Sequence, residues 1–149
     1  PPDEAIRHIY LVPFIGDQYV LVRLQNGRWD IPGRALAPGE SYMETLRREM
    51  REEVGARLLW MAPLGILRCR PLTDEQNDVA APADEETHLV GFGEVEIVLQ
   101  PETAWVEDQA TVMECLPVER ACRRFEAAGR PHLAALYRLA AQALDERCP

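Results

Sequence analysis

The segment from Arg34 to Ala56, R-A-L-A-P-G-E-S-Y-M-E-T-L-R-R-E-M-R-E-E-V-G-A, constrains this chain more than any other part of it. Its second half predicts a helix. The Ser41 hydroxyl can cap the first turn, and Glu44, three residues on, completes a capping box. Gly55 is a natural stop, because glycine adopts the left-handed backbone that ends many helices. Met43, Leu46, Met50 and Val54 recur at helical spacing and form the stripe expected to be buried. Glu49, Glu52 and Glu53 lie three and four residues apart and share a face. That face is predicted to differ from the apolar stripe and to look outward into a cleft. Three like charges on one face repel unless something positive sits among them. Oxygen-only ligands suit a hard divalent cation, Mg²⁺ or Mn²⁺.

The rest of the chain predicts strands and two further helices. Ile6 to Ile15 reads as a strand rich in β-branched and aromatic residues, and Pro13 suggests a sheet edge or a bulge there. Gly16-Asp17 turns into a second strand, Tyr19 to Leu24, and the two make a hairpin. A turn at Gln25-Asn26-Gly27 leads to Trp29–Pro32. Arg57 to Leu67, His88 to Leu99 and Thr111 to Leu116 read as further strands. Residues 70–86 read as a long acidic surface loop. Pro117 opens a helix that Gly129 halts. Pro131 opens the last helix, where Leu133, Leu136, Tyr137, Ala140 and Leu144 form one apolar face for the core or for a dimer interface. A mixed sheet between helices is the simplest assembly.

Composition sets bounds. A chain of 149 residues with 47% apolar content suits one domain, residues 1–149, around a single core. The net charge of −9 argues against duplex nucleic acid, whose binding rests on clustered Lys and Arg. A small phosphorylated substrate remains compatible, because bound cations reverse the local sign. No apolar run is long enough to span a bilayer, and no basic-then-apolar segment precedes the first strand. Cys69, Cys115, Cys122 and Cys148 lack metal-ligand spacing, so reduced cysteines and a cytoplasmic location are expected. Trp60 and Trp105 are expected to pack, and His8, His88 and His132 to serve the core or the surface.

The segment resembles the Nudix box, written G-x5-E-x7-R-E-U-x-E-E-x-G-U with U a bulky aliphatic residue. Glu40, Arg48, Glu49, Met50, Glu52, Glu53 and Gly55 fall on that pattern without a gap. Arg34 stands where the pattern has its first glycine, and Ala56 is smaller than usual. Trp29-Asp30-Ile31-Pro32-Gly33 looks like the W-x-x-P-G run that leads into the box. The resemblance implies the Nudix fold, an α/β/α sandwich around a mixed sheet. It also implies a Mg²⁺- or Mn²⁺-dependent hydrolase that cleaves a pyrophosphate bond in a nucleoside diphosphate-linked compound or a nucleoside triphosphate.

By the same resemblance, Glu49, Glu52 and Glu53 would hold the cations, joined by a backbone carbonyl near Gly33. Arg48 would orient the carboxylates through ion pairing. The general base would be a box glutamate or an acidic residue on a later loop, with Glu107 and Asp108 the best later candidates and Glu114 a weaker one. Arg34 removes the backbone freedom of glycine but adds a cation near the phosphates. Two other classes compete. One is a catalytically weak Nudix-like module that binds or senses a nucleotide, which Arg34 favours. The other is a structural protein whose R-R-E-M-R-E-E run is a solvated face stitched by pairs such as Arg48–Glu52.

Overall fold

The computed structural model describes residues 6–69, 86–98 and 112–147. The elements follow in the order β1 (Ile6–Ile15), β2 (Gln18–Arg23), β3 (Trp29–Asp30), β4 (Gly33–Ala35), α1 (Tyr42–Glu49) with a π-helical continuation (Met50–Val54), β5 (Ala56–Cys69), β6 (Glu86–Ile97), β7 (Val112–Pro117), α2 (Val118–Ala127) and α3 (Pro131–Arg147). The seven strands form one sheet with the path β3-β2-β1-β6-β5, while β4 pairs with β1 and β7 with β2. The pair β1–β6 is parallel and the others are antiparallel, so the sheet is mixed as predicted.

Alternation along β1 and β2 explains why helices cover both faces. Ile9, Leu11, Val20 and Val22 point one way and pack with Leu46, Met50 and Val54 of the first helix. Val12, Phe14, Tyr19 and Leu21 point the other way, onto Ala121, Cys122 and Phe125 of α2 and Leu133, Ala134, Tyr137 and Ala140 of α3. The result is an α/β/α sandwich. The apolar face of α3 is thus taken up by its own sheet, and the Tyr137 hydroxyl donates to the Val20 carbonyl at 2.7 Å within that core. Trp60 packs edge-on against Phe14 and Phe92, as expected of a packing residue. No described helix is long and apolar enough to cross a membrane.

Two expectations change. Pro13 lies in an interior strand, not an edge. On one flank β1 pairs with β6 throughout, and on the other its partner passes from β4, opposite His8 to Tyr10, to β2, opposite Phe14 and Ile15. Pro13 falls in that handover, where its missing N–H leaves no ladder bond unmade. The irregularity in β1 lies between Ile6 and His8 instead. The first helix is also not uniform, since its last five residues form a π turn whose closing bond runs from the Gly55 N–H to the Met50 carbonyl. Gly55 ends it at φ 73°, as the sequence predicts. The loop expected at 70–86, Trp105, Thr111 and Cys148 lie wholly or mainly outside the described residues.

Candidate active site

The helix that carries the glutamates starts where its sequence says it should. The Glu44 N–H donates to Ser41 Oγ at 3.2 Å and the Ser41 N–H to Glu44 Oε1 at 3.1 Å, a complete capping box. Ahead of it, the Pro32-Gly33 step lets β4 lie directly on β1. A Cβ at Gly33 would collide with the Tyr10 ring and stand 2.6 Å from the Ile9 carbonyl oxygen, so only glycine fits. Arg34 follows in β4, opposite Ile9, on extended strand backbone. Arginine meets no backbone obstacle there, and β4 itself has no counterpart in the sequence reading.

Burial corrects the orientation expected for the glutamates. Glu52 is 40% exposed, but Glu53 is only 8% exposed and Glu49 is fully buried. Glu49 follows Leu46 by three residues and precedes Met50, so it continues the inward face rather than opposing it. Its charge is held from two sides. Arg34 Nε lies 2.7 Å from Glu49 Oε1, and Arg48 Nη1 donates to the same oxygen at 3.4 Å. The second oxygen, Oε2, is buried with no hydrogen-bond partner among the described residues. Arg34 Nη2 also stands 3.9 Å from Glu53 Oε2.

Arg48 is the organiser of the outer half of the site. Its guanidinium grips Glu40 through Nε at 3.1 Å and Nη2 at 2.9 Å, leaving Nη1 for Glu49 and, at 3.5 Å, Glu52. Thr45 Oγ1 adds a bond to Glu40 at 2.7 Å. These bonds from Arg48 and Thr45 hold the Glu40 carboxyl below its ordinary pKa. Glu53 is displaced the other way, up to about 8. Burial is the main cause, followed by the neighbouring Glu49, which acts through a hydrogen bond and through like charge; Arg34 offsets part of this.

Asp30 was not singled out in the sequence, yet its charge also raises Glu53. Arg130 holds it, with Nη1 at 3.0 Å from Asp30 Oδ1. The only sequence signal for Asp30 was its place in the run before Pro32-Gly33; Arg130, a hundred residues away, had none. Glu114 pairs with Arg124 of α2 at 2.9 Å and 3.0 Å, on the helix side of β7. Glu107 and Asp108 lie outside the described residues.

The donor set fits a divalent cation. It consists of carboxylate oxygens, one of them buried and without a partner, as hard cations require. Among the described residues, however, no three His, Cys, Asp or Glu side chains are gathered closely enough to hold an ion as they stand. Glu49 and Glu53 close on Arg34, whereas Glu52 turns to Arg48.

A family model described as the NUDIX domain matches residues 7–137. The chain belongs to the NUDIX family. The Nucleoside triphosphatase NudI of Enterobacter sp. (strain 638) is 53% identical over 32 residues, which is 22% of this chain and 23% of that protein. Among solved structures, a NUDIX hydrolase from Nitrosomonas europaea superposes with a TM-score of 0.65 at 19% identity, covering 93% of this chain and 89% of that one. An ADP compounds hydrolase superposes with a TM-score of 0.64 at 17% identity, covering 95% and 74%. At such identities the likeness speaks for the NUDIX fold alone.

Proposed function

We propose that the protein is a divalent-cation-dependent hydrolase that cleaves a P–O–P bond in a nucleoside triphosphate or a nucleoside diphosphate-linked compound. The observation that carries this reading is the fully buried Glu49 carboxylate, with one oxygen unpartnered, beside a second sheltered carboxylate, Glu53. A buried charge of this kind costs stability and is retained where it does chemistry. Glu49, Glu52 and Glu53, with the Gly33 carbonyl, would hold Mg²⁺ or Mn²⁺. When bound, the cation neutralises phosphate oxygens and lowers the pKa of water.

The chain's own groups supply the rest. Arg48, fixed by Glu40, reaches Glu49 and Glu52 through its remaining nitrogen and would limit the rotamers open to both. Glu53, or Glu107 or Asp108 on the later segment, takes the proton from the attacking water. Arg34, 42% exposed at the mouth of the site, adds positive charge toward the phosphates. The name of the relative that matches over 32 residues, a nucleoside triphosphatase, supports the first of these substrate classes.

The test is Glu53→Gln, assayed against a panel of nucleotides with Mg²⁺. Turnover is expected to fall by roughly 10²-fold or more, while the melting temperature holds or rises because a buried like-charge contact is gone. Near wild-type turnover would remove Glu53 from the site. A second reading, a nucleotide-binding module without turnover, is favoured by Arg34 lying on the ligands themselves. Nucleotide binding with no product released would select it.

A further inference from the structure

Arg34, one of two residues that depart from the box pattern, is also the one that touches the proposed ligands most closely. Arg34 Nε stands 2.7 Å from Glu49 Oε1 and its Nη2 3.9 Å from Glu53 Oε2. Among the described residues, its ion pairs are with these two glutamates. A guanidinium therefore sits against the oxygens that a cation needs, at a position where the family pattern places a side chain of one hydrogen. We propose that Arg34 is a built-in counter-ion: it holds Glu49 and Glu53 in the metal-free protein, competes with the cation for them, and is released toward the substrate phosphates when the cation binds. This rests on the proposed reading of the site as a metal centre.

The two arginines of the site differ in a way that assigns this role to Arg34. Arg48 is bound through two nitrogens to Glu40, a carboxylate that is not among the proposed ligands, so its charge is answered whether or not a metal is present. Arg34 has no such anchor among the described residues and is 42% exposed, so water can receive it when it leaves. An arginine stays charged throughout the accessible pH range, so it cannot yield its place by losing a proton. It has to move. The buried Glu49 Oε2, which no group among the described residues satisfies, marks what the guanidinium leaves undone and a cation would complete. The strand backbone at Arg34 is pinned to Ile9, which confines the exchange to the side chain.

The test measures Mn²⁺ binding by calorimetry and by loss of the free-ion EPR signal, on chelator-treated full-length protein without nucleotide. Wild type, Arg34→Ala, Arg34→Gln and Arg34→Lys are compared. The Ala and Gln variants are expected to bind Mn²⁺ about tenfold more tightly or better, with Lys close to wild type. The KM for the nucleotide is expected to move the opposite way, rising roughly tenfold in Ala and Gln. A merely structural role would weaken both. Equal or weaker Mn²⁺ binding in Ala and Gln overturns the counter-ion and leaves the hydrolase reading standing. Tighter Mn²⁺ binding with unchanged KM keeps the counter-ion and overturns its release toward phosphate. If neither wild type nor any variant binds Mn²⁺, the metal centre and the counter-ion fall together. Should Arg34→Ala not fold, the Gln and Lys variants, which keep the side-chain stem, decide the matter.

Discussion

The two faces of the sheet are built from alternate residues of the same strands, β1 and β2, and they are packed on opposite principles. On the α2–α3 face, Phe125, Tyr137, Ala121, Ala134 and Ala140 are fully buried, and the one buried hydroxyl among them, of Tyr137, has its acceptor in Val20. The Tyr137 hydroxyl and the Cys122 thiol both find carbonyl acceptors, and the layer is an ordinary close-packed core. On the α1 face, Leu46 and Met50 are just as buried, but Glu49 is enclosed with them and one of its oxygens is unanswered. The first face is optimised for stability. The second gives some stability up to keep charge in a sheltered place, which is how sites, rather than cores, are made.

This contrast can be broken by experiment. The largest effect is expected from truncation before Pro131, which strips the apolar cover from Val12, Phe14 and Leu21. At ~25 cal/mol per Å² of apolar surface, that loss should abolish cooperative unfolding or cause aggregation. Gel filtration and a urea melt check it. A truncated chain that stays monomeric and melts as before would show that the α2–α3 face is not the stabilising one.

Glu49→Met probes the other face, with a side chain of similar length and no charge. Arg34 is left exposed enough to be solvated, and Arg48 keeps Glu40. Stability should therefore be unchanged or rise by roughly 1–2 kcal/mol, while Mn²⁺ affinity falls by more than the roughly 10–100-fold typical of losing a residue that only orients a ligand. A clear drop in melting temperature would make Glu49 a structural residue and remove the contrast.

The smallest effect belongs to Arg48→Ala. Its bonds are partly exposed, so folding should lose less than about 1 kcal/mol, yet Glu49 and Glu52 lose their common partner. Mn²⁺ affinity should drop roughly tenfold. If Glu40→Gln produces the same drop without changing the fold, the Glu40–Arg48 pair is confirmed as the positioning unit.

The limits of the helix were legible because its signals are local: Ser41 and Glu44 bond each other across a single turn, and Gly55 supplies its own φ. The apolar face of α3 was legible for the same reason, through spacing alone. Pro13 misled because a proline reports only its missing N–H, not whether a neighbouring strand would have needed it. β4 was invisible: three residues make a strand only through the partner they meet, here His8 to Tyr10. The burial of Glu49 also escaped: its spacing from Leu46 and Met50 sets it on the inward face, but the strand laid beside it and the arginine that strand carries come from outside the helix.

The order of residues from Trp29 to Gly55 determined by itself the family, the presence of a capped acidic helix and the carboxylates proposed as cation ligands. Those are matters of residue type and short-range spacing, and they survive any placement of the rest of the chain. Tertiary structure alone decided which carboxylate is buried and that Arg34 turns onto Glu49 and Glu53. It also joined Asp30 to Arg130 across a hundred residues. Charge and desolvation depend on what lies within a few ångströms, and those neighbours come from strands and helices that the sequence keeps far apart.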